Sequence, residues 1–305
     1  MLSIDRIVWP TDLSSGAEEA FPHAAALAAW HEAELHIVHV TQEGEGKPVD
    51  FPLDEHTLRG FLSDRPSSPA APPVALEDLS FIQEQRTGAA ADEIVGYAED
   101  RSVDLVVMGT HGQRGLRRLF VGSVTEAVVR SAPCPVFTVR AGHASPLNVR
   151  NILAPVDFSE GSTLAVRHAR ELALTYGAQI TLLHAVEEAV YPSAYGVEPA
   201  PLPSSKIVRR VEKSLAALAR DEIGYEHVVV EARVGHAASV TLDYVEEHDV
   251  DLIAIATHGR TGWERMLLGS VTERVVRRAN RPVFVVKPFG KSLVPEPERS
   301  ATNAE

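Results

Sequence analysis

The chain has 305 residues, of which 45% are hydrophobic, 23% charged and 6% aromatic, which is enough for two domains that each bury a core. Its net charge of -13 at pH 7 argues against nucleic-acid binding, because no broad basic surface is available to neutralise phosphates. Cys134 is the only cysteine, the first residues lack the pattern of a signal peptide, and no apolar run reaches the ~20 residues of a membrane span, so we predict a soluble cytoplasmic protein without membrane association.

The predicted elements follow the same order twice along the chain. Each copy begins with an apolar strand, an Asp-x-Ser turn and an alanine-rich helix, followed by a second strand and a variable stretch. The variable stretch of the first copy contains the flexible segment SDRPSSPAAPPVALED, whereas that of the second becomes helical through Ile207–Glu222. A third strand leads through Gly88 or Gly235 into another helix, and a fourth strand, a glycine-rich loop, a helix and a fifth strand complete the copy.

Strands that alternate with helices in this way predict an α/β fold with a parallel, doubly wound sheet in each copy. The fourth strand is continuously apolar, which is typical of a strand that is buried on both faces. The predicted strands are Asp5–Pro10, Leu35–Val40, Leu79–Gln85, 104–109 and 135–139 in the first copy, and Asn151–Pro155, Gln179–Ala185, His227–Ala232, 251–256 and 282–286 in the second.

The repetition indicates the duplication of a whole domain. A shift of 145 residues aligns the two Asp-x-Ser regions, and a shift of 147 aligns 104–137 with 251–284, where about 19 of 34 positions are identical. A period of this length is too long for a solenoid of short repeats. We place the two domains at 1–142 and 149–289, and we expect residues 290–305 to form a disordered tail.

The glycine-rich loop after the fourth strand reads GTHGQRGLRRLFVGS at 109–123 and ATHGRTGWERMLLGS at 256–270. Ligands of open parallel sheets bind beyond the carboxyl ends of the strands, and glycines let the backbone approach a ligand without a Cβ in the way. The first N–H groups of the following helix attract anions. The loop therefore predicts a phosphate site, although it is neither a Walker A motif nor a Rossmann fingerprint.

A structural interpretation of the same loop is also open. The sequence SVTE, at 123–126 and again at 270–273, fits the capping box S-x-x-E, in which the serine closes the start of the helix. Such a cap satisfies one N–H group and leaves the others for a phosphate oxygen.

Three motifs recur in both copies in the same order, and through them the chain resembles the universal stress protein family. The motif P-x-D-x-S stands at 10–14 and 155–159, and the second strand ends in H-V or H-A, at 39–40 and 184–185. The third motif is the family's ATP-binding signature, Gly-x2-Gly-x9-Gly-Ser/Thr, which the first copy matches in full. The matching residues are Gly109, Gly112, Gly122 and Ser123 in the first copy, and Gly259, Gly269 and Ser270 in the second, where Ala256 takes the first place.

The resemblance implies a five-stranded sheet of order 3-2-1-4-5 in each copy, as in adenine nucleotide alpha-hydrolase-like proteins, with ATP, with or without Mg²⁺, across the carboxyl edge. The aspartate after strand one and the backbone after strand two would hold the adenosine, and the glycine loop would hold the phosphates. It implies a regulatory ATP-binding protein of the stress response, with slow hydrolysis at most and an unidentified regulatory protein as partner. The implied binding residues are Asp12, Val40, Gly109, Gly112, Gly122 and Ser123, and then Asp157, Ala185, Gly259, Gly269 and Ser270.

Alternatives remain open for both the aspartates and the whole chain. Asp12 and Asp157 fit the cap or turn of a helix as well as a ligand site, although Ser14 and Ser159 could do the capping instead. The chain could also be a scaffold or interaction protein that binds no nucleotide, or a true nucleotide hydrolase. No residue near the loop is an obvious general base, which argues against a fast ATPase.

Ala256 is the main departure from the signature. If this position required a positive φ, alanine would cost about 1–2 kcal/mol. The apolar pattern of DLIAIATHG favours an ordinary strand end at Ala256. We therefore expect the second site to be competent but weaker than the first.

Histidines and the last strands complete the expectations. His23 and His168 in the first helices, and His39 and His184 at the ends of the second strands, recur in both copies. We therefore expect them to pack or to anchor loops rather than to bind a metal. The resemblance to universal stress proteins implies that the two domains pair through their last strands, as an intrachain pseudo-dimer with PVFTV beside PVFVV. We also expect further self-association into a homodimer.

Overall fold

The computed structural model describes residues 2–42, 51–63, 74–110, 122–140, 149–187, 205–224, 226–257 and 268–295. The strands in these residues are β1 (Arg6–Thr11), β2 (Glu34–Thr41), β3 (Phe81–Thr87), β4 (Leu105–Gly109), β5 (Val136–Val139), β6 (Asn151–Pro155), β7 (Gln179–Val186), β8 (Val228–Val234), β9 (Leu252–Ala256) and β10 (Val283–Val286). The helices are α1 (Ser15–Glu18), α2 (Phe21–His31), α3 (Glu55–Ser63), α4 (Ala90–Asp100), α5 (Ser123–Ser131), α6 (Glu160–Tyr176), α7 (Ser205–Leu218), α8 (Ala237–Glu247) and α9 (Ser270–Arg278).

All ten strands belong to one sheet, in the order β3-β2-β1-β4-β5-β10-β9-β6-β7-β8. Neighbouring strands within each half are parallel, so the predicted order 3-2-1-4-5 is confirmed in both copies. At the centre, β5 pairs with β10 in the antiparallel sense, with Phe137 opposite Phe284. The two predicted sheets are thus the halves of one continuous sheet, and the predicted pairing of the last strands is confirmed.

The central strands are buried along their length. Every residue of β5, β9 and β10 is buried, because helices cover both faces of a parallel sheet and leave room for continuous apolar runs. The outermost strands β3 and β8 are half-buried or exposed at most positions. This arrangement places the carboxyl ends of β1 and β4, and of β6 and β9, side by side at one edge of each half.

Aromatic rings fill the junction between the halves. The ring centroids of Phe137 and Phe284 lie 6.3 Å apart, His23 lies 5.3 Å from Phe137, and His168 lies 5.8 Å from Phe284. The expectation that these two histidines pack in the core is confirmed, since both are fully buried. The first helices also meet across the junction, where Trp30 of α2 and Tyr176 of α6 form an edge-on pair.

The residues after β10 depart from the predicted disordered tail. Leu293 and Val294 are buried, and the Leu293 N–H donates to His168 Nε2 at 3.1 Å, while the Leu293 carbonyl accepts from the Ser3 N–H at 2.9 Å. Lys291 forms an ion pair with Asp104. The expectation of disorder is therefore wrong for residues 290–295, because apolar side chains and a buried histidine hold them at the junction. Residues 296–305 lie outside the described residues.

The variable regions differ between the copies. The first helix of the first copy is split into α1 and α2, whereas α6 runs without interruption for 17 residues. The predicted helix at Ile207–Glu222 is observed as α7 followed by a short π-helix at Ala219–Ile223. Most of the Pro/Ser/Ala-rich segment of the first copy and the linker at 141–148 lie outside the described residues. No helix in the described part of the chain has the length and apolar character needed to cross a membrane.

Candidate functional site

The strand-one aspartates form the same turn in both copies. Asp12 Oδ1 accepts hydrogen bonds from the Ser14 N–H (3.1 Å) and hydroxyl (2.5 Å), and Asp157 Oδ1 accepts from Ser159 in the same way. The two serines are the N-caps of α1 and α6. The alternative that the aspartates are themselves the caps is therefore wrong. Each aspartate is a half-buried turn residue that orients its capping serine.

The residue after each aspartate has an unfavourable backbone conformation. Leu13 has a φ of 58° and Phe158 a φ of 63°, in the left-handed region that costs about 1–2 kcal/mol for a residue with a side chain. Strain that recurs at one place in two copies is characteristic of functional turns. Phe158 is also 41% exposed, and its ring lies 5.0 Å from that of His184.

The strand-two histidines tie the second strand to the aspartate turn. His39 Nδ1 donates to the carbonyl of Thr11 at 2.8 Å, and His184 Nδ1 donates to the carbonyl of Val156 at 2.6 Å. The expectation that these histidines anchor loops is confirmed. Val40 and Ala185 follow them directly and are half-buried, so each candidate adenosine residue of strand two stands beside the aspartate turn of its own copy.

Each candidate phosphate helix begins at a glycine. Gly122 is the N-cap of α5, with φ -64° and ψ 147°, and Gly269 is the N-cap of α9, with φ -60° and ψ 140°. Ser123 and Ser270 are therefore the first helical residues, and within the described part of the chain no side chain caps either helix. The capping-box interpretation is wrong, because the backbone bends one residue earlier than the S-x-x-E pattern assumes.

Threonines that the sequence analysis did not single out hold these helices against the strand ends. Thr125 Oγ1 donates to the carbonyl of Gly109 at 2.9 Å, and Thr272 Oγ1 donates to the carbonyl of Ala256 at 2.5 Å. The glycine N–H of each helix start donates to the residue after the strand, Gly122 to Thr110 at 2.7 Å. The repetition of SVTE in both copies was the pattern that could have identified these threonines.

The difference between Gly109 and Ala256 has a packing origin. A Cβ at position 109 would lie 2.2 Å from the carbonyl oxygen of Gly16, because α1 approaches the end of β4 closely. Neither residue has a positive φ, so the loop does not need glycine for its backbone conformation here. Ala256 is the last residue of β9 and is buried, which is the ordinary strand end that the sequence predicted.

The structure brings most of the candidate residues of each copy to one sheet edge. The aspartate turn, the end of strand two and the start of the phosphate helix surround the carboxyl ends of the first and fourth strands. Gly112 and Gly259 lie outside the described residues, as do the loop histidines and arginines. The predicted meeting of Asp12 with Gly112 stays a prediction.

Metal and thiol chemistry have no support among the described residues. No group of three or more His, Cys, Asp or Glu side chains in the described part of the chain could hold a metal ion. Cys134 is buried, and burial raises the pKa of its thiol to about 12. It is therefore a protonated core residue, not a nucleophile.

The fold and its two equivalent edges define a duplicated, doubly wound α/β protein. A model of the universal stress protein family matches residues 3–140 and again residues 148–287. The chain therefore belongs to the universal stress protein family and carries two of its domains in tandem.

Relatives of both tandem and shorter length support this assignment. A universal stress protein of Mycolicibacterium smegmatis is 28% identical over 290 residues, which cover 91% of this chain and 95% of the relative. A shorter one from Methanocaldococcus jannaschii is 34% identical over 144 residues, which cover 44% of this chain and 81% of the relative. Among solved structures, a universal stress protein of Archaeoglobus fulgidus covers 93% of this chain with a TM-score of 0.62 and 20% identity. A functionally unknown protein of Pseudomonas aeruginosa covers 94% with a TM-score of 0.67 and 18% identity; at these identities the structures support the fold alone.

Proposed function

We propose that this universal stress protein is a regulatory ATP-binding protein with one nucleotide site at the carboxyl edge of each half. The observation that carries the proposal is the repeated pairing, at one edge, of a strained aspartate turn with a helix start that none of the described side chains caps. Two copies that differ in helix breaks and in loop sequence keep the same hydrogen bonds around this edge. Such retention favours a binding edge over a scaffold.

The proposed roles follow from the chemistry of the groups. The first-turn N–H groups of α5 and α9, from Ser123 and Ser270 onward, would bind phosphate oxygens, because they lack partners within the helix and carry the positive end of its dipole. Gly122 and Gly269, whose own N–H groups donate to Thr110 and Thr257, would leave room for the phosphates because they carry no side chain. The exposed hydroxyls of Ser123 and Ser270 would add one donor each. Gly112 and Gly259, which lie outside the described residues, would contribute backbone N–H groups without a side chain in the way.

The adenosine end would lie across the aspartate turns. Asp12 and Asp157 would accept hydrogen bonds from ribose hydroxyls, and the backbone of Val40 and Ala185 would contact the base. His39 supports this assignment, because its Nδ1 donates to Thr11 while its Nε2 is buried without a hydrogen-bond partner among the described residues. A buried acceptor of this kind is costly unless a ligand or water satisfies it.

The donor set fits a nucleotide better than it fits a metal on its own. A Mg²⁺ ion would be held by phosphate oxygens and water, as is usual for this ion. We propose that ATP acts in this protein as a bound signal, in the cytoplasm and with an unidentified regulatory protein as partner, and that hydrolysis is slow, below ~1 s⁻¹.

Thermal unfolding with ATP tests the proposal. ATP at about 100 times its Kd should stabilise the folded protein by about 2.7 kcal/mol for each occupied site and raise the Tm. The double variant Gly122→Val/Gly269→Val should lose this rise, because the new side chains stand at both helix starts; a Cβ at 122 would already lie 3.3 Å from the Thr110 carbonyl oxygen.

The matched control is Gly96→Val in α4, where a new Cβ meets nothing within 4 Å, and it should keep the full ATP effect. An unchanged ATP effect in the double variant would contradict the site assignment. No ATP effect in the natural protein would favour the scaffold, and turnover of ~1 s⁻¹ or faster would make the protein an ATPase.

A further inference from the structure

Two cations join each half of the molecule to the phosphate helix of the other half. Arg140 directly follows β5, and its Nη1 donates to the carbonyls of Arg278 (3.1 Å) and Ala279 (3.0 Å) at the end of α9. Lys287 directly follows β10, and its Nζ donates to the carbonyl of Ala132 at the end of α5. The contacts are equivalent, since the two cations and the two alanines each stand 147 residues apart.

The residue before each cation also takes part in hydrogen bonds that join the strand ends of its own half to the start of the phosphate helix of that half. The carbonyl of Val139, which precedes Arg140, accepts from the Thr110 N–H at 2.8 Å, and the Thr110 carbonyl accepts from the N–H of Gly122 at 2.7 Å. Thr110 is the first residue after β4, so these two bonds fix both ends of the first loop. The equivalent residues of the second half are Val286, Thr257 and Gly269, with distances of 2.9 and 2.8 Å.

These contacts form a closed path through both candidate sites. The start of α5 is bonded to Thr110, Thr110 to the end of β5, and Arg140, which follows that strand, to the end of α9. The path returns from the start of α9 through Thr257, the end of β10 and Lys287 to the end of α5.

Side chains along the two helices add a direct link. Arg277 of α9 pairs with Glu126 of α5 at 2.8 Å and with Glu273 of its own helix at 3.2 Å. Glu126 also pairs with Arg130 at 2.9 Å. These pairs are partly exposed and therefore contribute little energy each, but they oppose sliding of one helix past the other.

Arg140 and Lys287 are both charged at physiological pH where they contact the helix ends. Burial lowers the pKa of Lys287 to about 8, which still leaves it mostly protonated at pH 7. Burial also lowers the pKa of Arg140, but a guanidinium stays charged. A cation at the C-terminus of a helix stabilises the dipole whose positive end attracts an anion at the N-terminus.

We infer that Arg140 and Lys287 are positioning residues that couple the two candidate sites, so that ATP bound in one half raises the affinity for ATP in the other. This inference rests on the proposed function. A nucleotide that immobilises the start of α5 also favours the contact between the end of α5 and Lys287, which in turn fixes the end of β10 and, through Thr257, the start of α9. Coupling between sites of this kind is typically 5-fold or more.

Calorimetric titration of the full chain with ATP tests the coupling. The variants Gly122→Val and Gly269→Val each leave one site and give the separate isotherms. The natural protein should bind ATP with an affinity about 5-fold or more higher than the sum of these two isotherms predicts for independent sites. This difference is the excess affinity. In an Arg140→Met background the excess should vanish, whereas Arg140→Lys, which keeps the cation, should retain it.

A second pair of variants guards against loss of folding. Lys287→Met should remove the excess and Lys287→Arg should retain it, and both can be compared with the more exposed Arg140 variants. ATP binding equal to the sum of the two isolated sites in the natural protein, or an excess that survives in Arg140→Met, would overturn the coupling alone. No ATP binding at all would overturn the proposed function and the coupling with it.

Discussion

At the scale of single residues, the buried His168 makes the free energy of unfolding depend on pH through its hydrogen bonds at the junction between the halves. Its Nδ1 donates to the carbonyl of Leu164 at 2.9 Å, and its Nε2 accepts from the N–H of Leu293 at 3.1 Å. Only the neutral ring can make both bonds, because a protonated ring has no acceptor nitrogen. Burial accordingly lowers the pKa of His168 to about 4, from an ordinary value of 6.5.

The folded protein should therefore lose stability in mild acid. The unfolded chain takes up a proton at His168 near pH 6.5 and the folded chain only near pH 4, so the free energy of unfolding falls as pH drops between these values. At about 1.4 kcal/mol per pKa unit, this residue accounts for a loss of up to about 3 kcal/mol. Urea unfolding at pH 7 and pH 4.5 measures the effect.

Replacement of His168 by Gln should make the free energy of unfolding less dependent on pH in this range. The control is His227→Gln, the same replacement at an exposed histidine. An equally steep pH dependence in His168→Gln would show that another group carries it.

At the scale of elements, the close approach of α1 to β4 sets the requirement for Gly109. A Cβ there would meet the backbone of Gly16, with 2.2 Å to the oxygen and 2.6 Å to the carbonyl carbon. Gly109→Ala should therefore displace α1 together with the Asp12 turn that precedes it. We expect a loss of about 1–3 kcal/mol in the free energy of unfolding, as for other overpacked sites, and weaker ATP binding in the first half.

The reverse change in the second half is the control. Ala256→Gly removes a methyl group that the strand end already accommodates, and we expect it to cost within about 1 kcal/mol. Urea denaturation of both variants makes the comparison. A Gly109→Ala variant as stable as the natural protein would mean that α1 can move away freely.

The elements were predictable where the repeat constrained them and less so where local patterns were ambiguous. Two aligned copies made the succession of strands and helices and the loop positions clear, because chance agreement in both is improbable, whereas the strand order 3-2-1-4-5 followed from the family resemblance. The SVTE pattern misled the assignment of the helix caps, since the same letters fit a helix that begins one residue earlier. Glu126 takes part in ion pairs instead, one of them with Arg277, which is 151 positions away and invisible to a local pattern.

At the scale of the whole molecule, the junction between the halves was only partly predictable. Pairing of the last strands followed from the family resemblance, and β5 and β10 do pair. The packing of residues 290–295 was missed, because their Ser, Pro and charged neighbours resemble a tail, and the partners His168 and Ser3 come from distant parts of the chain. The contacts of Arg140 and Lys287 were also missed, because their partners lie in distant parts of the chain.

For the candidate site, the sequence predicted which residues lie at the sheet edges but not the contacts that they make there. Asp12, Asp157 and the two helix starts do converge on the sheet edges. The roles of the threonines and the strained turn residues, and the particular partners of the histidines, depend on contacts between distant residues and therefore could be assigned only from the structure. The proposed boundaries at 1–142 and 149–289 and the homodimer stay predictions.

The central claim is that both halves bind ATP, and the stoichiometry of ATP binding to the full chain tests it most directly. Calorimetric titration at a protein concentration well above the Kd should give two ATP molecules per chain. Binding of a single ATP would contradict the claim that Ala256 leaves the second site competent. A chain that binds no ATP would contradict the account as a whole.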